Sequence, residues 1–125
     1  MPDNIYAVFS KPPEGVSWDE YNAWYDFHAR ENVQTPYFTG VQRYQVEPIV
    51  VGTGVGSKRS SVDPDAVRYQ HLALFEFQGT IVDVRAHLNS RVEAGEIVLP
   101  EWFLRVPFST WSCEPLGGRI LPDRS

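Results

Sequence analysis

Cysteine is almost missing from this chain of 125 residues. Cys113 stands alone, so no intramolecular disulfide can form. That pattern suits a reducing compartment, and a cytoplasmic protein is expected. A nucleophilic thiolate needs a cationic partner, and the nearest basic residue in sequence is Arg119. Cys113 therefore reads as a small hydrophobe rather than a catalyst. Positive charge is also scarce: 11 Lys and Arg stand against 16 Asp and Glu, a net charge of −5. Phosphate binding needs a basic surface, and the single cationic cluster, Lys58-Arg59, falls short of one, so nucleic acid is not an expected partner. No apolar run approaches the roughly 18 residues of a membrane span, and membrane is not an expected partner either. No basic stretch followed by an apolar one precedes the first strand-like segment, so no signal peptide is expected. Neither His-Glu-x-x-His nor paired cysteines occur, and no metal site is expected. Gly52-Thr53-Gly54-Val55-Gly56-Ser57-Lys58 fails the phosphate-loop pattern because Ser57 stands where that pattern needs glycine.

What the chain does have is aromatic rings. Four Trp, six Tyr and seven Phe make up 14% of it, while hydrophobic residues reach 42% and charged residues 22%. The balance is that of a globular protein, and the length favours one domain over residues 1–125. The ring content exceeds the needs of a plain core and points to a ring-lined cavity or an interface.

The densest stretch is Tyr21-Asn22-Ala23-Trp24-Tyr25-Asp26-Phe27-His28. On a helix, Tyr21, Trp24, Tyr25 and His28 share one face. A titratable imidazole then sits in a stripe of large rings, and if that stripe borders a pocket, His28 is its acid or base. The competing reading is a hydrogen-bonded core histidine.

Local signals order the elements. Residues 4–9 read as a strand ended by Pro12-Pro13. Ser17 and Glu20 match a capping box that opens a helix to about Asn32 or Val33, before Pro36. Residues 39–51 read as a strand interrupted at Pro48, 52–66 as an irregular loop and candidate lid, and 68–77 as the strongest strand. A second helix is expected over 80–94, with Ile81, Val84, Leu88 and Val92 inward and Gly95 at its end. A last strand spans 104–113, and the tail 114–125 is irregular. The order strand, helix, strand, strand, helix, strand is the ferredoxin-like α+β arrangement: a four-stranded antiparallel sheet with two helices on one face. A bare, ring-rich second face would be covered most simply by pairing with a second copy.

Candidate site residues follow. On a strand, Tyr69, His71, Ala73, Phe75 and Phe77 point one way. If Leu72 and Leu74 meet the helices, Tyr69 and His71 face the interior. His71 competes with a cross-strand packing role. His87 lies at the edge of the second helix's stripe and is left outside the site. Arg43 and Arg68, on expected strands, are better placed than Arg30 to clamp a substrate carboxylate. Trp24, Tyr25, Phe75, Trp102, Phe108 and Trp111 are candidate aromatic walls, with core or interface as the alternative. A metal held by His28, His71 and Asp26 or Glu76 is disfavoured, because Asp26 falls about 200° round the helix from His28.

The spacing Tyr21-Asn22-x-Trp24-Tyr25-x-x-His28-x-x-Glu31-x-Val33 resembles the first-helix motif of EthD-like members of the dimeric α/β-barrel superfamily. Arg68-Tyr69-x-x-Leu72-Ala73-Leu74-Phe75-Glu76-Phe77 is similar to their third strand. The resemblance spans the first two thirds of the chain. It implies a dimer whose cavities lie between sheet and helices, often bordered by a histidine matching His28. It spans lyases, isomerases, cyclases, monooxygenases and haem enzymes. Pro36-Tyr37-Phe38 departs from the usual Pro-Gly-Phe. The resulting expectation is a cofactor-independent lyase, isomerase or dehydratase. It would act on a small oxygenated aromatic or polyketide-like compound, with His28, His71 and Tyr69 catalytic and Trp24, Tyr25, Arg43, Arg68, Phe75 and Trp111 binding substrate. A non-catalytic binding protein and a haem-dependent or cofactor-free oxygenase are the alternatives.

Overall fold

The computed structural model describes residues 2–49 and 68–124. The expected loop 52–66, with its glycine run and Lys58-Arg59, lies outside the described residues. The elements run β1 (Asn4–Ser10), α1 (Trp18–Asn32), β2 (Phe38–Gln45), β3 (His71–Phe77), α2 (Ile81–Glu93), a 3-10 turn (Glu101–Arg105) and β4 (Phe108–Cys113). The four strands form one antiparallel sheet in the order β2-β3-β1-β4. This is the ferredoxin-like α+β arrangement.

Each helix starts where its sequence supplies a cap. The Ser17 hydroxyl accepts from the Glu20 N–H at 3.1 Å, and the Thr80 hydroxyl accepts from the Asp83 N–H at 3.1 Å. Each bond satisfies one orphan donor of a first turn. α2 ends on a Schellman pair, Gly95 N–H to Val92 C=O at 3.1 Å and Glu96 N–H to Arg91 C=O at 2.9 Å. Gly95 has φ +76°, the left-handed conformation that this motif requires.

β1 matches its expected span with one residue more, Ser10, whereas the other three strands are shorter than their sequences imply. β2 stops at Gln45 because β3, its partner, begins only at His71, and one further bond, Val46 N–H to Gln70 C=O at 2.9 Å, closes the ladder. β4 begins at Phe108 because residues 101–105 coil into a 3-10 turn and Pro107 has no N–H to give. Between Phe38 and Gly40 the β2–β3 register shifts by one residue, a bulge that bends the edge strand.

Alternation sorts the sheet into two faces. His71, Ala73, Phe75 and Phe77 of β3 point at the helices with Tyr6, Val8 and Ser10 of β1, and all are buried. Thus His71 and its neighbours, rather than Leu72 and Leu74, meet the helical layer. Tyr21, Tyr25, His28 and Ala29 of α1 and Val84 of α2 close this core. A buried ring such as Phe75 or Phe77 contributes about 2–3 kcal/mol of transfer free energy. Of the four inward positions expected on α2, only Val84 is fully covered, and Val92 remains 39% exposed. Arg91 ties α2 to the end of α1, donating at 2.7 Å to both the Glu31 C=O and the Thr35 hydroxyl.

One residue pays a backbone cost. Tyr37, in the Pro36-Tyr37-Phe38 turn between α1 and β2, has φ +80°. A left-handed non-glycine residue costs about 1–2 kcal/mol. Contact between the Tyr37 and His87 rings, 5.4 Å apart, offsets part of it.

Candidate active-site cleft

A cleft of about 540 Å³ opens between the β1/β4 half of the sheet and the two helices. Its volume is in the range of small-ligand sites. The sheet contributes Tyr6, Val8, Phe108 and Thr110. α1 contributes Tyr25, His28 and Asn32, and α2 contributes Arg85, Leu88, Asn89, Val92 and Glu93, with Leu99 and Phe103 completing the wall. The exposed lining is mostly apolar, with polar groups of His28, Asn32, Arg85, Asn89, Glu93 and Thr110 set into it. The partial exposure of Val92 is explained here: it borders the opening.

His28 is 7% exposed and borders this space. Trp24 stacks on one face of the imidazole, with centroids 4.6 Å apart and planes at 17°, while Tyr25 meets it edge-on at 5.5 Å. Asn32, one turn on, places its Nδ2 3.0 Å from His28 Nε2. An amide nitrogen can only donate, so Nε2 holds the lone pair and Nδ1 carries the proton. Nδ1 is buried with no hydrogen-bond partner among the described residues, as is Asn32 Oδ1. Burial pushes the His28 pKa down from 6.5 to about 4, so the ring is neutral at pH 7. Burial also raises the pKa of Tyr25, which stays a protonated phenol.

His71 occupies a different environment. Its Nε2 accepts from Arg43 Nε at 3.0 Å, and its Nδ1 faces the Ser10 hydroxyl at 3.5 Å. Ser10 also accepts from the Tyr21 phenol at 2.7 Å. Burial first, then the Arg43 charge, lowers the His71 pKa to about 4. Burial raises the Tyr21 pKa to about 12. The rest of the Arg43 guanidinium is engaged by the Asn22 backbone carbonyl at 3.1 Å, the Asn22 side-chain oxygen and Asp26 Oδ1 at 3.5 Å. Arg43 and His71 thus satisfy each other inside a polar cluster beside the cleft, and neither lines it.

The remaining candidates scatter. Trp24 backs His28 without lining the cleft, and Phe75 lies in the core beside Tyr6 and Phe38. Tyr69 precedes β3, so strand alternation does not extend to it. Its ring packs on Phe9 of the open sheet face at 5.9 Å, with Arg68 above it at 5.5 Å. Trp111 is 60% exposed on that open face. Of the expected residues, the cleft therefore gathers His28, Tyr25 and Phe108. It adds Asn32, Tyr6 and Arg85, which sequence reasoning missed. The Asn32 signal was available, four residues beyond His28 on the same helix face.

Among the described residues no three His, Cys, Asp or Glu side chains come together as a metal site. A haem, which some proteins of the resembled superfamily hold, would require one of these histidines to give up a hydrogen bond that it makes here. An axial ligand must present an open ring nitrogen. Both nitrogens of His71 are engaged, and His28 offers only a buried Nδ1 and an Nε2 capped by Asn32.

No protein-family model matches this chain, and no curated protein matches it in sequence.

Proposed function

We propose that the protein is a cofactor-independent enzyme of the lyase, isomerase or dehydratase kind, moving a proton on a small oxygenated ring compound with His28 as the base. The observation that carries the reading is a buried imidazole whose sole hydrogen-bond partner among the described residues, Asn32, shares with it the wall of a mostly apolar cleft. The Asn32 N–H stands where an acidic proton of a substrate would stand. A ligand entering the cleft displaces that amide, and Nε2 then takes the proton. Tyr25, kept as the phenol, donates to the oxygen on which negative charge develops. A base with a pKa near 4 is weak, so the proton must be acidified, as on a carbon next to a carbonyl or on a phenol.

The same reading takes the chain as EthD-like and as a two-fold dimer paired through the open sheet face, working in a reducing cytoplasm. The fold, the position of His28 in α1 and the free, exposed Cys113 support it.

Exchange of ring-ketone α-protons into D2O, followed by proton NMR with 1-tetralone and its hydroxylated relatives, tests it without knowledge of the natural substrate. The protein accelerates exchange of at least one, and His28→Gln slows that exchange by about 100-fold or more, the usual scale for loss of a positioned base. Equal exchange by the wild type and His28→Gln refutes the assignment. The non-catalytic alternative predicts binding in the cleft with no exchange from either protein.

A further inference from the structure

Resting on the same cleft as the reading above, we infer that Arg85 and the Tyr6 hydroxyl form an anion subsite in its wall, and that the natural ligand is a ring compound bearing a carboxylate.

Arg85 is exposed but shares a face of α2 with Ile81, Leu88 and Val92, and its side chain lines the cleft. Its NH1 donates to the Tyr6 hydroxyl at 2.7 Å, and its guanidinium lies 5.9 Å from the centre of the Tyr6 ring. Among the described residues, ion pairs form at Arg30, Arg43 and Arg91, and Arg85 has no carboxylate within salt-bridge distance. Three other arginines are committed elsewhere: Arg43 to the polar cluster, Arg91 to the end of α1, and Arg105 to the Glu14 carbonyl at 3.0 Å. Among the described residues, Arg85 is the one arginine or lysine in the cleft lining.

The chemistry of the pair is directional. By accepting from Arg85, the Tyr6 oxygen leaves its own O–H proton free to donate. The guanidinium keeps its other N–H groups in a planar fork that matches a carboxylate. Together they offer donors and no acceptor to a guest. Tyr6 is itself only 8% exposed, so its ring is held in the buried face of the sheet. Glu93, the acidic residue of the same wall, is two helical turns further along α2, about 12 Å at 1.5 Å per residue. An anionic group is therefore drawn to the Arg85 end. Val8, Leu88 and Phe108 line the space that a ring would fill. The weak base at His28 and a bound anion belong together, since an anchored carboxylate fixes the register of the ring against Nε2.

The test compares two probes of nearly one shape, 2-naphthoate and 2-naphthamide, by calorimetric titration at pH 7 and low salt. Wild-type protein binds 2-naphthoate at least about ten-fold more tightly than the amide, the scale of a partly exposed charge-assisted pair. Arg85→Gln removes that preference while retaining the amide affinity, and Tyr6→Phe reduces it. Arg30→Gln, on the far surface of α1, keeps it. Equal affinity for the two probes in the wild type, or a preference that survives Arg85→Gln, overturns the subsite and leaves the cleft reading standing. If neither probe binds at millimolar concentration, both the subsite and the cleft reading fail. A circular dichroism spectrum unchanged in Arg85→Gln confirms that the comparison is between folded proteins.

Discussion

His28 and His71 are both neutral at pH 7, chiefly through burial, with the Arg43 charge adding to it at His71, and both carry the same consequence. Protonating His71 would end its acceptance from Arg43 Nε and set two cations side by side. Protonating His28 would leave a buried cation among rings. The folded chain therefore binds these protons only near pH 4, whereas the unfolded chain binds them near 6.5. Where the unfolded state holds more protons, stability rises with pH. The contribution is fully present above pH 6.5 and is lost as pH falls to about 4, by at most about 1.4 kcal/mol per pH unit for each histidine. The exposed Asp26 carboxyl, held below its usual range first by its bond from Arg30, acts only beneath that window. Urea unfolding at pH 7.0, 5.5 and 4.5 checks the slope. His71→Gln lowers stability at pH 7 through its poorer fit and flattens the slope, because Gln does not titrate. An unchanged slope in that variant contradicts the account. Nothing local in the sequence distinguishes the two histidines. What separates them is Arg43, which pairs with Ala73 across β2 and β3 and so reaches His71 diagonally. That contact depends on a register set by residues more than twenty positions apart.

At the scale of elements, the most legible features were those whose physics is local. Ser17 and Glu20 announce α1, and the ring stripe that follows is the face that it buries. Gly95 announces the end of α2. The strand ends were less legible because a strand stops where its partner stops, which no window of sequence contains: β2 loses β3 beyond Gln45. Likewise Leu104 and Arg105 carry strand-like neighbours but are drawn into a 3-10 turn that brings Phe103 to the cleft. Tyr69 is illegible for the same reason: β3 begins at His71, so strand alternation does not fix where the Tyr69 ring packs. The cap at Ser17 gives a direct check. Ser17→Ala removes the acceptor for Glu20 N–H and costs about 1 kcal/mol, lowering the thermal midpoint by several degrees, whereas Ser17→Asp retains the cap. Calorimetric melting of the three proteins reads this. Equal midpoints for the wild type and Ser17→Ala contradict a formed cap.

For the whole molecule, the face of the sheet away from the helices remains to be accounted for. Ile5, Phe9, Leu72 and Leu74 are half-buried there, and Tyr44 and Trp111 are 47% and 60% exposed. A four-stranded face seven residues long measures about 23 Å by 19 Å, or about 440 Å² in plane. A standard interface needs about 800 Å² from each partner. The irregular tail carries further apolar surface, with Leu116, Ile120 and Leu121 all strongly exposed. The dimer proposed above would give both surfaces one role: in a two-fold pair joined through the sheet, the tail of each chain would lie on the other and add to the sheet's area. In that arrangement the wild type sediments at twice the chain mass at micromolar concentration. Trp111→Glu puts a charge on the edge strand β4 of the paired face and sediments as a single chain. Replacing Leu116, Ile120 and Leu121 with Ser leaves the sheet contact in place and raises the dissociation constant about ten-fold or more, the equivalent of about 1.4 kcal/mol. The cleft opens on the helical side, so the Trp111→Glu monomer keeps its affinity for 2-naphthoate. A wild type that sediments as a single chain at tens of micromolar removes the dimer, and a dimer indifferent to the tail substitutions removes the tail from it.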